Sequence, residues 1–64
     1  MSAATKMITE FAERTRDEHA LVRKFGHVLY FSKAELVAAA VELGLDTTGT
    51  RSALCYRIAR HLLA

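Results

Sequence analysis

Thr47, Thr48, Gly49, Thr50 and Arg51 are the stretch of this 64-residue chain whose residue types and order best suit binding chemistry. Small hydroxyl side chains and a glycine lead directly into a helix-forming run. The first amides of a helix have no acceptor within it, and the aligned peptide dipoles make that end positive. A phosphate is the ligand such an end holds. Gly49 lets a backbone approach closely. Arg51 stands in the first helical turn, where a cation opposes the dipole and therefore points to a function. Arg57 and Arg60, one turn apart further on, and Lys33, early in the preceding helical stretch, extend the positive charge. The same pattern also describes an ordinary cap among solubilising arginines. These residues alone leave both readings open.

Other chemistry finds little support. Cys55 has His61 six residues on, which points to another side of a helix, and it shares a helical side with Leu54, Ile58 and Leu62, which reads as packing. His19, His27 and His61 have no Cys or carboxylate at metal-ligand spacing. No phosphate loop, nucleophile elbow or paired-acid motif occurs. Tyr30 and Tyr56 could stack on bases, but read first as core or rim residues. The expectation is a non-enzymatic protein without cofactor or metal.

The elements that must position these residues are helical. The chain has no Pro and three Gly, so it is poor in breakers. Its length allows one small domain. Net charge is +2, with 25% charged and 52% apolar residues, which excludes both a disordered tail and a polybasic binder. One cysteine cannot form an internal disulfide, which suits a reducing compartment. No apolar run approaches the roughly 20 residues of a membrane span, and the first residues lack the pattern of a signal peptide. The expected location is intracellular, cytoplasmic or nucleoid-associated.

Three elements are predicted, giving an all-α, three-helix domain. Ala4, Met7, Ile8, Phe11, Thr15, Val22 and Phe25 share one side of a helix over residues 1–26, with a break near Asp17 as the alternative to one continuous helix. Pairs such as Glu10 with Arg14 and Arg14 with Glu18 have helical spacing. Gly26 suits the residue after the helix end. Residues 27–31 read as an extended connector whose hydrophobic side chains plug the core. Ser32-Lys33-Ala34-Glu35 is a capping box, with Phe31 and Leu36 as its hydrophobic staple. Gly44 ends that helix in the left-handed conformation and Leu45 folds back. Residues 46–50 form a polar loop, and Thr50 caps a last helix whose buried side carries Leu54, Cys55, Ile58 and Leu62.

The run Phe31-Ser32-Lys33-Ala34-Glu35-Leu36, followed by Gly44-Leu45-Asp46-Thr47-Thr48-Gly49-Thr50-Arg51-Ser52-Ala53-Leu54-Cys55-Tyr56-Arg57-Ile58, resembles a SAP domain. SAP domains are helix–extended loop–helix modules that bind DNA with weak sequence preference; LEM and Rho N-terminal domains share the topology. Glu35-Leu36, Gly44-Leu45, Gly49-Thr50-Arg51, Leu54 and Arg57-Ile58 match the family pattern in register, over about residues 31–63. The chain departs from it at Ala40, where the family has Leu, and at Val37, Val41 and Leu43, where the family is usually polar. Those extra apolar residues need a cover, either the N-terminal helix or a second copy of the chain.

The resemblance implies contact with the phosphates of double-stranded DNA through Lys33, the 47–51 loop, Arg57 and Arg60. Residues 31–64 carry Lys33, Arg51, Arg57 and Arg60 against Glu35, Glu42 and Asp46, a net of +1. So few cations imply weak, salt-sensitive binding. The alternative is a protein-binding adaptor or small regulator, with the N-terminal helix or the Val37/Val41 side as its interface; a homodimer through that helix is a further form of it.

Overall fold

The computed structural model describes residues 2–64. The protein is all-helical: 75% of the described residues are helix, and there are no strands among them. α1 spans Ala3–Thr15, α2 Glu18–Arg23, a single π-helical turn Lys24–Val28, α3 Lys33–Glu42 and α4 Arg51–Leu63.

The helix expected over residues 1–26 is divided, so the described residues form four α-helices rather than three. Arg16 takes a left-handed conformation (φ 55°) and its amide closes α1 on the Ala12 carbonyl. Asp17 then starts α2, its carboxylate accepting from the Ala20 amide at 3.0 Å. The break keeps the molecule short. An unbroken helix over residues 3–25 would run roughly 34 Å, whereas the longest extent of the molecule is 25 Å. The corner falls in the polar stretch around Arg16 and Asp17, which has no apolar side chain to bury. It brings Ile8 and Ala12 of α1 and Leu21, Val22 and Phe25 beyond it into one core. The break also separates Arg14 from Glu18. Glu18 pairs instead with Arg60 of α4 at 2.6 Å.

Residues 27–31 are not an extended connector. Helical structure continues through the π turn to Val28, and Leu29 is still right-handed. Tyr30 reverses the chain with φ 48°. Gly26, expected just past a helix end, lies buried inside the π turn, where a Cβ would stand 3.5 Å from the Cys55 sulfur. Only part of the segment plugs the core: Phe31 is buried and Leu29 half-buried, but Val28 and Tyr30 are exposed. His19 is exposed as well, its ring meeting the edge of Tyr56.

The second half follows its local signals. The Ser32 hydroxyl accepts from the Glu35 amide and the Glu35 carboxylate from the Ser32 amide, a complete capping box. Phe31 and Leu36, on either side of it, are both buried. α3 ends with Gly44 at φ 72°. The Leu45 amide donates to the Ala40 carbonyl at 2.8 Å and the Gly44 amide to Val41 at 3.1 Å. This is the paired-bond ending that a left-handed glycine makes available. Thr50 caps α4 by accepting from the Ala53 amide at 3.1 Å.

The fully buried large side chains come from every segment: Ile8, Leu21, Phe25, Leu36, Leu54 and Ile58. α1 lies against α3 through a polar clasp that composition did not reveal. Thr5, fully buried, donates its hydroxyl to the Glu42 carboxylate at 2.8 Å, and the Ser2 amide donates to the same carboxylate at 2.8 and 3.1 Å. Val37 and Leu43 are half-buried against the core, but Val41 is 62% exposed, so the N-terminal segment covers α3 only in part.

Two expectations follow from this packing. A chain lacking residues 1–25 loses Ile8, Leu21 and most of the buried interface of the second half. At under about 40 residues it should be largely unfolded or self-associated by circular dichroism and light scattering. A monomeric truncated chain with the full-length melting temperature would refute the packing role. The second expectation concerns acid. Hydrogen bonds from Thr5 first, and from Ser2, hold Glu42 below the ordinary carboxylate value. A carboxyl group depressed in the folded state stabilises above its unfolded pKa, and that contribution disappears as pH falls through the folded value. Glu42→Gln should therefore flatten the acid side of the melting-temperature profile. A variant profile parallel to the wild type would rule out a role for the clasp.

Candidate nucleic-acid interface

Local capping sets the ends of α3 and α4, and one side chain brings those ends together. Arg51 is the first residue of α4. Its Nε donates to the Phe31 carbonyl at 2.8 Å, and its Nη2 donates to the Gly26 carbonyl. The start of α4 is thereby pinned both to the residue before the α3 cap and to the π turn. The Arg51 guanidinium lies 4.3 Å from the centre of the Tyr30 ring. Two capped helix N-termini thus lie side by side, with Lys33 exposed in the first turn of one and Arg51 half-buried in the first turn of the other.

The loop between the helices is held from inside. The Asp46 carboxylate accepts from the Thr48 amide at 3.0 Å and from its hydroxyl at 2.9 and 3.0 Å. These bonds, the amide first, hold its pKa below the ordinary value. Arg57 reaches under the loop, its Nη1 donating to the Asp46 and Thr48 carbonyls at 2.8 and 2.7 Å. Gly49 has φ 106°, and a Cβ there would lie 3.2 Å from that of Ala53, so glycine is needed for conformation and room together.

The site residues expected from sequence therefore divide into groups. Lys33 stands in the first turn of α3, and Thr50 and Arg51 stand at the start of α4, which Arg51 ties to Phe31. Thr48, Gly49 and Thr50 are exposed and Thr47 is half-buried in the loop. Arg57 shapes that loop from below. Arg60, nine residues beyond Arg51 and so roughly 13 Å along α4, pairs with Glu18 and stands 5.5 Å over the Tyr56 ring.

Sequence reasoning missed Tyr30 and Gly26 as neighbours of Arg51. A cation in a first helical turn was the only signal, and it did not say which carbonyls the cation would meet. Asp46 and Glu35 add negative charge near the two caps, but their carboxylates are engaged in local hydrogen bonds. The Cys55 thiol is buried, and desolvation pushes its pKa up, which disfavours the nucleophilic thiolate. Among the described residues no group of three or more metal-ligating side chains forms, and no helix is long and apolar enough to cross a membrane.

Arg51 and Arg60 should differ sharply in stability. Replacing Arg51 by Met leaves two partly buried carbonyls without their donor, a loss of about 2 kcal/mol. Arg60→Ala removes an exposed ion pair and should cost less than about 0.5 kcal/mol. Urea titration of both variants checks the order, and equal midpoints would show that Arg51 does not tie the helix starts together.

The chain matches no family model, no curated protein and no solved structure.

Proposed function

We propose that the protein binds nucleic acid without catalysing a reaction, contacting the phosphate backbone of double-stranded DNA with weak sequence preference. The observation that carries this reading is the juxtaposition of two helix N-termini by Arg51, with Lys33 beside them. Two positive dipole ends, a lysine and an arginine give one end of the molecule the electrostatics a phosphate group needs. The two Arg51 bonds use Nε and Nη2, and its Nη1 amino group takes no part in either. Thr47, Thr48, Gly49 and Thr50 supply hydroxyls and backbone, Arg57 holds the loop in shape, and Arg60 adds charge further along α4. The resemblance to SAP domains points the same way. With so few cations the binding is weak, salt-dependent and suited to positioning on DNA rather than reading bases.

A second reading, docking of a protein partner or a second copy, rests on one observation: Val41 is 62% exposed on α3, beside the half-buried Val37. Lys33 lies in the first turn of α3 and Val41 about two turns further along it, so the two readings separate by mutation.

Lys33→Ala is the direct test, because Lys33 is exposed and accepts no structural duty in the capping box. It should weaken binding to unrelated duplexes by a similar factor and lower the slope of log affinity against log salt by about one unit. Its melting temperature should match the wild type. Wild-type protein that binds no duplex at low salt would overturn the nucleic-acid reading. A change in oligomeric state on Val41→Glu, with DNA binding absent, would favour the second.

A further inference from the structure

Tyr30 combines features that an ordinary rim residue does not require. It is a bulky residue in the left-handed region, with φ 48°, where β-carbon crowding makes non-glycine residues uncommon. Its side chain is not buried in return: Tyr30 is 70% exposed. The ring lies over the Arg51 guanidinium, 4.3 Å from ring centre to the guanidinium carbon. Arg51 is itself hydrogen-bonded to the Gly26 and Phe31 carbonyls, which hold the guanidinium under the ring. The other large exposed apolar side chains, Met7, Val28 and Val41, have no such support and no aromatic face.

A phenol ring backed by a fixed cation and open to solvent is a surface on which a planar, electron-rich group stacks. At the same end of the molecule stand Lys33 and the first turn of α4, which suit a phosphate. A base flanked by its own phosphate presents both groups together, and base-on-aromatic stacking is how proteins hold unpaired nucleotides. A base inside an intact duplex has both faces occupied by its neighbours and cannot make this contact.

We propose that Tyr30, backed by Arg51, is a stacking platform for an unpaired nucleobase, so that the protein prefers DNA ends or gaps with single-stranded character over closed duplex. The proposal rests on the nucleic-acid reading and narrows its ligand. Tyr30 stacks and specifies, whereas Lys33 and the helix starts hold the phosphate.

The test compares a short blunt duplex with the same duplex carrying a single-stranded overhang that contains 2-aminopurine. Affinity is measured by anisotropy at fixed salt, and stacking by quenching of the 2-aminopurine fluorescence. Wild type should prefer the overhang by about tenfold, the scale of one stacked base, and should quench the probe. Tyr30→Phe should keep both effects. Tyr30→Ala should lose both and keep the wild-type circular dichroism spectrum. Tyr30→Gly, which relaxes the left-handed backbone as well as removing the ring, should behave as Tyr30→Ala does and guards against loss of folding in the alanine variant.

Equal wild-type affinity for the two probes, or a preference that survives in Tyr30→Gly, would overturn the platform while leaving duplex binding intact. Binding to the overhang probe alone would support the platform and overturn the duplex reading. No binding to either probe would overturn both.

Discussion

The hydrogen bonds from Arg51 to the carbonyls of Gly26 and Phe31 are the constraint on which the rest of the structure turns. They join three segments that no local signal would bring together: the π turn, the residue before the α3 cap, and the start of α4. A guanidinium suits this task because its planar fork offers several donors in fixed directions. A hydrophobic side chain at position 51 could fill the space but would leave two partly buried carbonyls unpaired. The placement opposes the α4 dipole, a small cost at a helix start, and the charge-assisted bonds outweigh it.

This contact explains the irregular backbone before it. The chain leaves α2 through a π turn, which re-aims the backbone so that Phe25 and Gly26 are buried and the Gly26 carbonyl meets Arg51. It then reverses at Tyr30, whose left-handed conformation costs on the order of 1 kcal/mol for a residue with a side chain. That strain is offset by the buried Phe31 immediately after it and by the contact of the Tyr30 ring with Arg51. Irregular structure, strain and an exposed aromatic ring therefore coincide at one place, the end of the molecule where both capped helices begin. Strained residues persist where their surroundings fix them, and they gather at functional sites.

A small domain has little core to spare, and this chain supplements it with polar clasps. The carboxylate of Glu42 gathers Ser2 and Thr5 to hold α1 against α3. Arg57 gathers the loop carbonyls of Asp46 and Thr48, and Arg60 reaches Glu18 at the start of α2. The first two involve half-buried or buried partners and define geometry. The third is exposed and adds little to stability, although it records where α2 lies relative to α4. All three arginines that sequence marks as phosphate contacts thus hold partners within the fold, which makes the exposed Lys33 the cleaner reporter of binding.

The sequence by itself determined whatever depends on neighbours within one helical turn. Ser32 with Glu35, Gly44 with Leu45, and Thr50 before α4 are each legible because a cap is made by residues three or four apart, and the structure reproduces all three. The all-helical class follows from the same local content, and so does the burial of Leu54, Cys55 and Ile58 at helical spacing. Tertiary structure decided the rest. A break near Asp17 is legible as an alternative in the polar run, but that it is taken, so that Ile8 and Leu21 meet in one core, is decided by the packing of the whole molecule. The π turn and the reversal at Tyr30 reflect a demand from Arg51, more than twenty residues away, for two carbonyl acceptors. The Thr5–Glu42 clasp spans thirty-seven residues, and a buried threonine on a helix face carries no mark of its partner. The candidate site was half legible for the same reason: its loop and capped helix are local, whereas the aromatic ring that completes it is placed by a contact across the fold.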